Sequence, residues 1–66
     1  MQYYFLDPRN NEFEEVFNEK EFNRLQFIQN FMFGKTTQYV TENAIFGCDG
    51  RYTIDYLIKK VEEFKK

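Results

Sequence analysis

Asn18 and Gly34 bracket fifteen residues that contain neither glycine nor proline, and no other stretch limits the fold as much. Asn18 is a natural N-cap, and Glu21 stands three residues on, at the second position of a capping-box-like pair. Gly34 falls where a left-handed backbone ends a helix. A helix over 19–33 follows, and at about 100° per residue it carries two apolar stripes. Phe22, Leu25, Ile28, Met32 and Phe33 form one. Phe27 and Phe31, four residues apart, form another on the far side. Together they cover roughly 240° of the helix, more than contact with a single layer requires. Either the helix is sandwiched between a sheet and a second helix, or its Phe27–Phe31 side is covered by another chain, a twin or a target. A chain of 66 residues seldom wraps a helix on both sides. A Phe pair at i, i+4 also has the spacing of helix-in-groove anchors. Phe27 and Phe31 are therefore expected to anchor a partner protein.

The remaining segments arrange themselves around that helix. Residues 2–6 and 12–17 read as a β-hairpin closed by the turn residues Asp7-Pro8-Arg9-Asn10-Asn11. In the second strand Phe13, Glu15 and Phe17 alternate with Glu14 and Val16. A helical alternative through Phe13, Val16 and Phe17 fails at Lys20 and Arg24. The β-branched and aromatic run 36–41 predicts a strand, Glu42-Asn43 a turn, and 44–48 the returning strand. Gly47-Cys48-Asp49-Gly50 reads as a break, with Asp49-Gly50 a tight-turn pair. Thr53 caps a helix over 54–65, with Asp55 in its first turn and Lys65 and Lys66 at its end. Ile54, Leu57, Ile58, Val61 and Phe64 give it one apolar arc of about 120°. The predicted architecture is a single α+β domain over 1–66, order β-β-α-β-β-α, with an antiparallel sheet and two helices packed on one face.

Composition removes several classes of function. Nine Phe and five Tyr exclude low-complexity disorder. Cys48 has no second cysteine to pair with. One Cys and no His cannot make a structural zinc site, and Asp7–Asn11 lacks the spaced ligands and distal Glu of a calcium loop. No metal or cofactor is expected. No apolar run reaches the roughly 18 residues of a membrane span. Met1-Gln2-Tyr3-Tyr4 has no basic n-region, so no signal peptide is expected. With a free thiol, these features point to a reducing cytoplasm. The chain lacks His, the commonest general base, and Asp49 beside Cys48 would raise the thiol pKa. Glu14/Glu15 and Glu62/Glu63 point to different sides of their elements, and the Gly47–Gly50 segment has no Gly-Lys-Ser/Thr ending for a phosphate. No enzymatic activity is expected.

Charge is uneven. Between Asp7 and Glu21, six carboxylates face two bases and leave −4, whereas the whole chain is −2. Glu12, Glu14, Glu15 and Glu19 are the expected acidic face, able to steer onto a basic protein surface or to mimic a nucleic acid in another protein's groove. Direct nucleic-acid binding is disfavoured by the acidic balance. Its rival case rests on Tyr3, Phe5, Tyr39 and Phe46 as stacking rings and on Lys59, Lys60, Lys65 and Lys66. Phe, Tyr, Asn, Lys and Ile supply 30 of the 66 residues against a single Ala, the codon signature of an AT-rich genome such as a phage or mobile element. The expectation is a small, non-enzymatic regulator or inhibitor of a host protein, working as a homodimer. The alternatives are a nucleic-acid-binding module and a structural subunit of a larger assembly.

Overall fold

The computed structural model describes residues 1–65; Lys66, expected at the end of the second helix, lies outside the described residues. The elements are β1 (Gln2–Asp7), β2 (Glu12–Val16), α1 (Glu19–Phe33), β3 (Thr37–Val40), β4 (Ala44–Cys48) and α2 (Ile54–Lys65). This is the α+β order expected from the sequence, with small shifts at the strand ends. Phe17 falls outside β2 because the chain there is already turning toward Asn18, whose Oδ1 accepts from the Glu21 amide at 2.8 Å. Gly34 ends α1 with φ at 91°. Thr53 Oγ1 accepts from the Tyr56 amide at 3.2 Å and caps α2. Asn11 takes the left-handed conformation that closes the β1–β2 turn, and its amide donates to the Asp7 carbonyl at 2.8 Å.

The sheet order is β2-β1-β4-β3. Both hairpins are antiparallel, but β1 and β4 run parallel, with Tyr3 opposite Ile45 and Phe5 opposite Gly47. The sheet is therefore mixed, a correction to the purely antiparallel expectation. It arises because α1 carries the chain from one edge strand to the other, and β4 then returns beside β1.

The helices also lie on opposite faces of the sheet, a second correction. On one face Tyr4, Leu6, Phe13, Ala44, Phe46 and Cys48 pack with Leu57 and Val61 of α2. On the other, Phe5 and Val16 pack with Phe22 of α1, with Tyr3, Leu25 and Ile45 around them. The cause lies in the two central strands. Tyr3-Tyr4-Phe5-Leu6 is apolar at every position, so each side of β1 needs cover. The Phe22 ring centroid sits 4.6 Å from Phe5 and 5.1 Å from Tyr3. Across the sheet, Tyr4 stacks on Phe46 at 5.7 Å and meets Phe13 edge-on at 6.2 Å.

Gly47 and Cys48 belong to β4, and the break begins only at Asp49. Cys48 is fully buried, and burial, aided by Asp49, pushes its thiol from the ordinary 9.0 up to about 11. The thiol of the folded protein should therefore resist a disulfide reagent at mildly alkaline pH and react at once on addition of denaturant. Fast labelling without denaturant would show that β4 opens. The same shift gives a pH dependence. Protonated Cys48 favours the fold fully below the unfolded thiol pKa, and this contribution fades as pH rises through 9 toward about 11.

Candidate functional site

α1 is held to the sheet by little. Phe22 is its one fully buried residue, and Leu25, Gln26 and Gln29 are half-buried along the same side. Two glutamines on the inner arc make α1 less sharply two-sided than α2, where Leu57 and Val61 are both buried. Ile28 and Met32, which the sequence grouped with Phe22, are rotated outward and stand 38% and 58% exposed. Phe33 is 42% exposed and meets the β1–β2 turn, where the Arg9 guanidinium is 5.9 Å from its ring centroid.

The far side of α1 faces solvent. Phe27 is 73% exposed and Phe31 85%. The sandwich arrangement is therefore not the one adopted, since the second helix lies beyond the sheet. Helical spacing places Lys20, Arg24, Phe27 and Phe31 within about 60° of one another, over roughly 16 Å of the axis. The outward stripe is thus basic toward its N-terminus and aromatic toward its C-terminus. Among the described residues neither Lys20 nor Arg24 takes part in an ion pair. Their place in the stripe was missed in the sequence, although the spacing 20, 24, 27, 31 carried the signal. Phe17, 88% exposed, is another ring that sequence reasoning did not single out. It stands just before the N-cap, where a staple onto Phe22 would be expected, but its side chain points to solvent.

The four carboxylates of the expected acidic face do not share one. Cross-strand register puts Glu14 opposite Phe5 and Glu12 opposite Asp7, on the α1 side of the sheet. Glu15 is opposite Tyr4, on the α2 side, and is half-buried. Glu19 lies in the first turn of α1, where the helix N-terminus already favours an acid. Because β2 is an edge strand, Glu14 and Glu15 still meet at its end, at a shallow hollow completed by Phe17, Glu21 and Leu25. Among the described residues Glu12, Glu14, Glu15 and Glu19 form no ion pair.

The rings proposed for stacking nucleobases are covered. Phe5 and Phe46 are buried, and Tyr3 and Tyr39 are half-buried under their neighbours. Of the C-terminal lysines, Lys65 donates to Gln2 Oε1 at 3.3 Å and sits over the Tyr4 ring, and Lys60 pairs with Glu63 at 3.9 Å. Two open hollows flank α2, one lined by Phe13, Lys60 and Phe64, the other by Tyr4, Phe46, Ile58 and Lys65; neither contains a thiol or an imidazole. No helix among the described residues is long and apolar enough to cross a membrane. Comparison with known proteins found no family model, no curated protein and no solved structure that matches the chain.

Proposed function

We propose that this chain is a non-enzymatic protein-binding protein, a regulator or inhibitor that docks through the outward face of α1. One observation carries the reading. Phe27 and Phe31, the largest apolar side chains of that face, stand in solvent along the C-terminal half of a helix. Aromatic rings in such a setting contribute nothing to the isolated fold and are a liability unless a partner covers them. Hot spots of interfaces are few and enriched in aromatic side chains, a description that fits these rings. The unpaired carboxylates along β2 add a second element. Glu12, Glu14 and Glu15 would draw the protein toward a basic surface, such as the groove of a nucleic-acid-binding protein. An attraction of that kind weakens with salt as the Debye length shortens.

Covering of both sheet faces favours this reading over direct nucleic-acid binding, because it removes the stacking platform. A Phe27→Ala, Phe31→Ala double variant tests it. At a protein concentration low enough to hold the chain apart from other copies, its urea unfolding should match the wild type within about 0.5 kcal/mol, the range of a neutral surface change. A loss of several kcal/mol would make the rings core residues and end the proposal.

A further inference from the structure

We infer that the partner seated on the outward stripe of α1 is a second copy of this chain, its own α1 packed antiparallel across a two-fold axis. The inference rests on the reading of α1 as a docking face and names the occupant. Three observations carry it.

The stripe complements itself. Its N-terminal half presents Lys20 and Arg24, its C-terminal half Phe27 and Phe31. Two such helices side by side in the same direction would bring bases against bases. Turned antiparallel, each copy lays its basic half over the other's aromatic half. With Phe27 and Ile28 of both copies at the axis, the Arg24 guanidinium of each lies over the Phe31 ring of the other. Arg over an aromatic face is a favourable contact, and its apolar stem adds cover.

The area fits. The exposed parts of Phe27, Ile28 and Phe31 come to roughly 400 Å², taking about 200 Å² for a whole ring, with Met32 at the flank of the stripe. The stems of Lys20 and Arg24 carry this toward the approximately 800 Å² per partner of a standard interface. The apolar part alone is the size of the largest apolar patch on a typical monomer, a patch that is often functional.

The helix needs the cover. It has one fully buried side chain, Phe22, in fifteen residues, and the cluster it joins holds three buried residues, Phe22 included, against eight in the cluster with α2. A short chain with one cysteine and no histidine cannot close a disulfide within itself or build a Cys/His zinc site, which leaves association as the route to further burial.

Sedimentation equilibrium of wild type, Arg24→Ala, Phe31→Ala and the Arg24/Phe31 double variant, over about 1–300 µM, tests the inference. The wild type should form a dimer and nothing larger. Phe31→Ala should raise its dissociation constant by about 100-fold and Arg24→Ala by about 10-fold, with far-UV circular dichroism unchanged. Because the two side chains meet across the axis, the double variant should be little weaker than Phe31→Ala alone. Fully additive losses would overturn the antiparallel pairing. A wild type that stays monomeric, or grows beyond a dimer, would overturn the inference itself. The reading of α1 as a docking face would survive a monomer if the Phe27/Phe31 double Ala variant still unfolds as the wild type does, and would fall with it if that variant is destabilised.

Discussion

Replacing Phe22 with Ala should abolish or nearly abolish the folded state, whereas the same change at Phe27, five residues on, should leave the isolated fold intact. Phe22 is 1% exposed and lies against the rings of Phe5 and Tyr3. Truncating a buried Phe costs about 3–5 kcal/mol, because the lost transfer energy is joined by the cavity left behind. A chain of this size has a total stability of roughly 3–10 kcal/mol at ordinary values per residue. The cost is therefore comparable with everything that holds the molecule together. No other fully buried side chain of α1 can take over. Urea unfolding followed by circular dichroism should show either no cooperative transition at 25 °C or a midpoint moved far down. A shift worth less than about 1 kcal/mol would mean that α1 is held by something other than this ring cluster.

The second large effect is expected at Gly47, where one added methyl should be intolerable. A Cβ there would stand 2.2 Å from Phe5 Cε1 and 2.7 Å from Cδ1 and Cζ of the same ring. The reason is steric and owes nothing to a positive φ, since Gly47 has none. Phe5 and Gly47 are paired across the parallel β1–β4 ladder, the Cδ1–Cε1–Cζ edge of the ring lies over the glycine, and the ring also packs on Phe22, 4.6 Å away. The ring is fully buried among Val16, Phe22 and their neighbours, so any shift must displace packed side chains. Glycine-to-alanine changes at open positions gain about 0.4–1 kcal/mol through the unfolded chain. Here overpacking of about 1–3 kcal/mol or more outweighs that gain. Phe5→Leu in the Gly47→Ala background should cost less than the two changes taken separately, because the smaller side chain yields the space. Purely additive losses would show that the ring is not what the methyl strikes.

These two positions also show where the sequence was legible. The caps at Asn18 and Thr53, the stop at Gly34 and the apolar stripe of α2 place both helices within their observed bounds. Local hydrogen bonding and periodicity decide such boundaries, and both are visible in one dimension. The placement of the helices about the sheet is a long-range matter. The run Tyr3-Tyr4-Phe5-Leu6 held the clue, since a strand apolar at every position asks for cover on both faces, but its length alone did not separate it from a one-sided strand. Gly47 looked like punctuation because its role is set by a ring forty-two positions away in the chain. The outward position of Phe27 and Phe31 was legible from helical spacing. The rotation of Ile28 and Met32 out of the inner stripe was not, because it follows from which strands α1 crosses. The acidic segment was correctly seen as local excess charge, yet alternation along β2 splits Glu14 from Glu15, and only the register with β1 shows which face each takes.

The order β2-β1-β4-β3 leaves two strands with an unpaired row of backbone groups, one at each rim of the sheet. Such rims invite the sheet of one molecule to continue into the next, a growth with no natural end. On the β2 rim, Glu12, Glu14 and Glu15 set carboxylate against carboxylate if two copies approach edge to edge. The β3 rim carries no charge between Thr37 and Val40, but it is four residues long, too short to template much. The carboxylates thus oppose fibre growth whatever else they attract. The proposed two-fold contact through α1 would use the same patch on both molecules and close after a single event, so apolar surface that could seed an open-ended assembly would be consumed in a finite one.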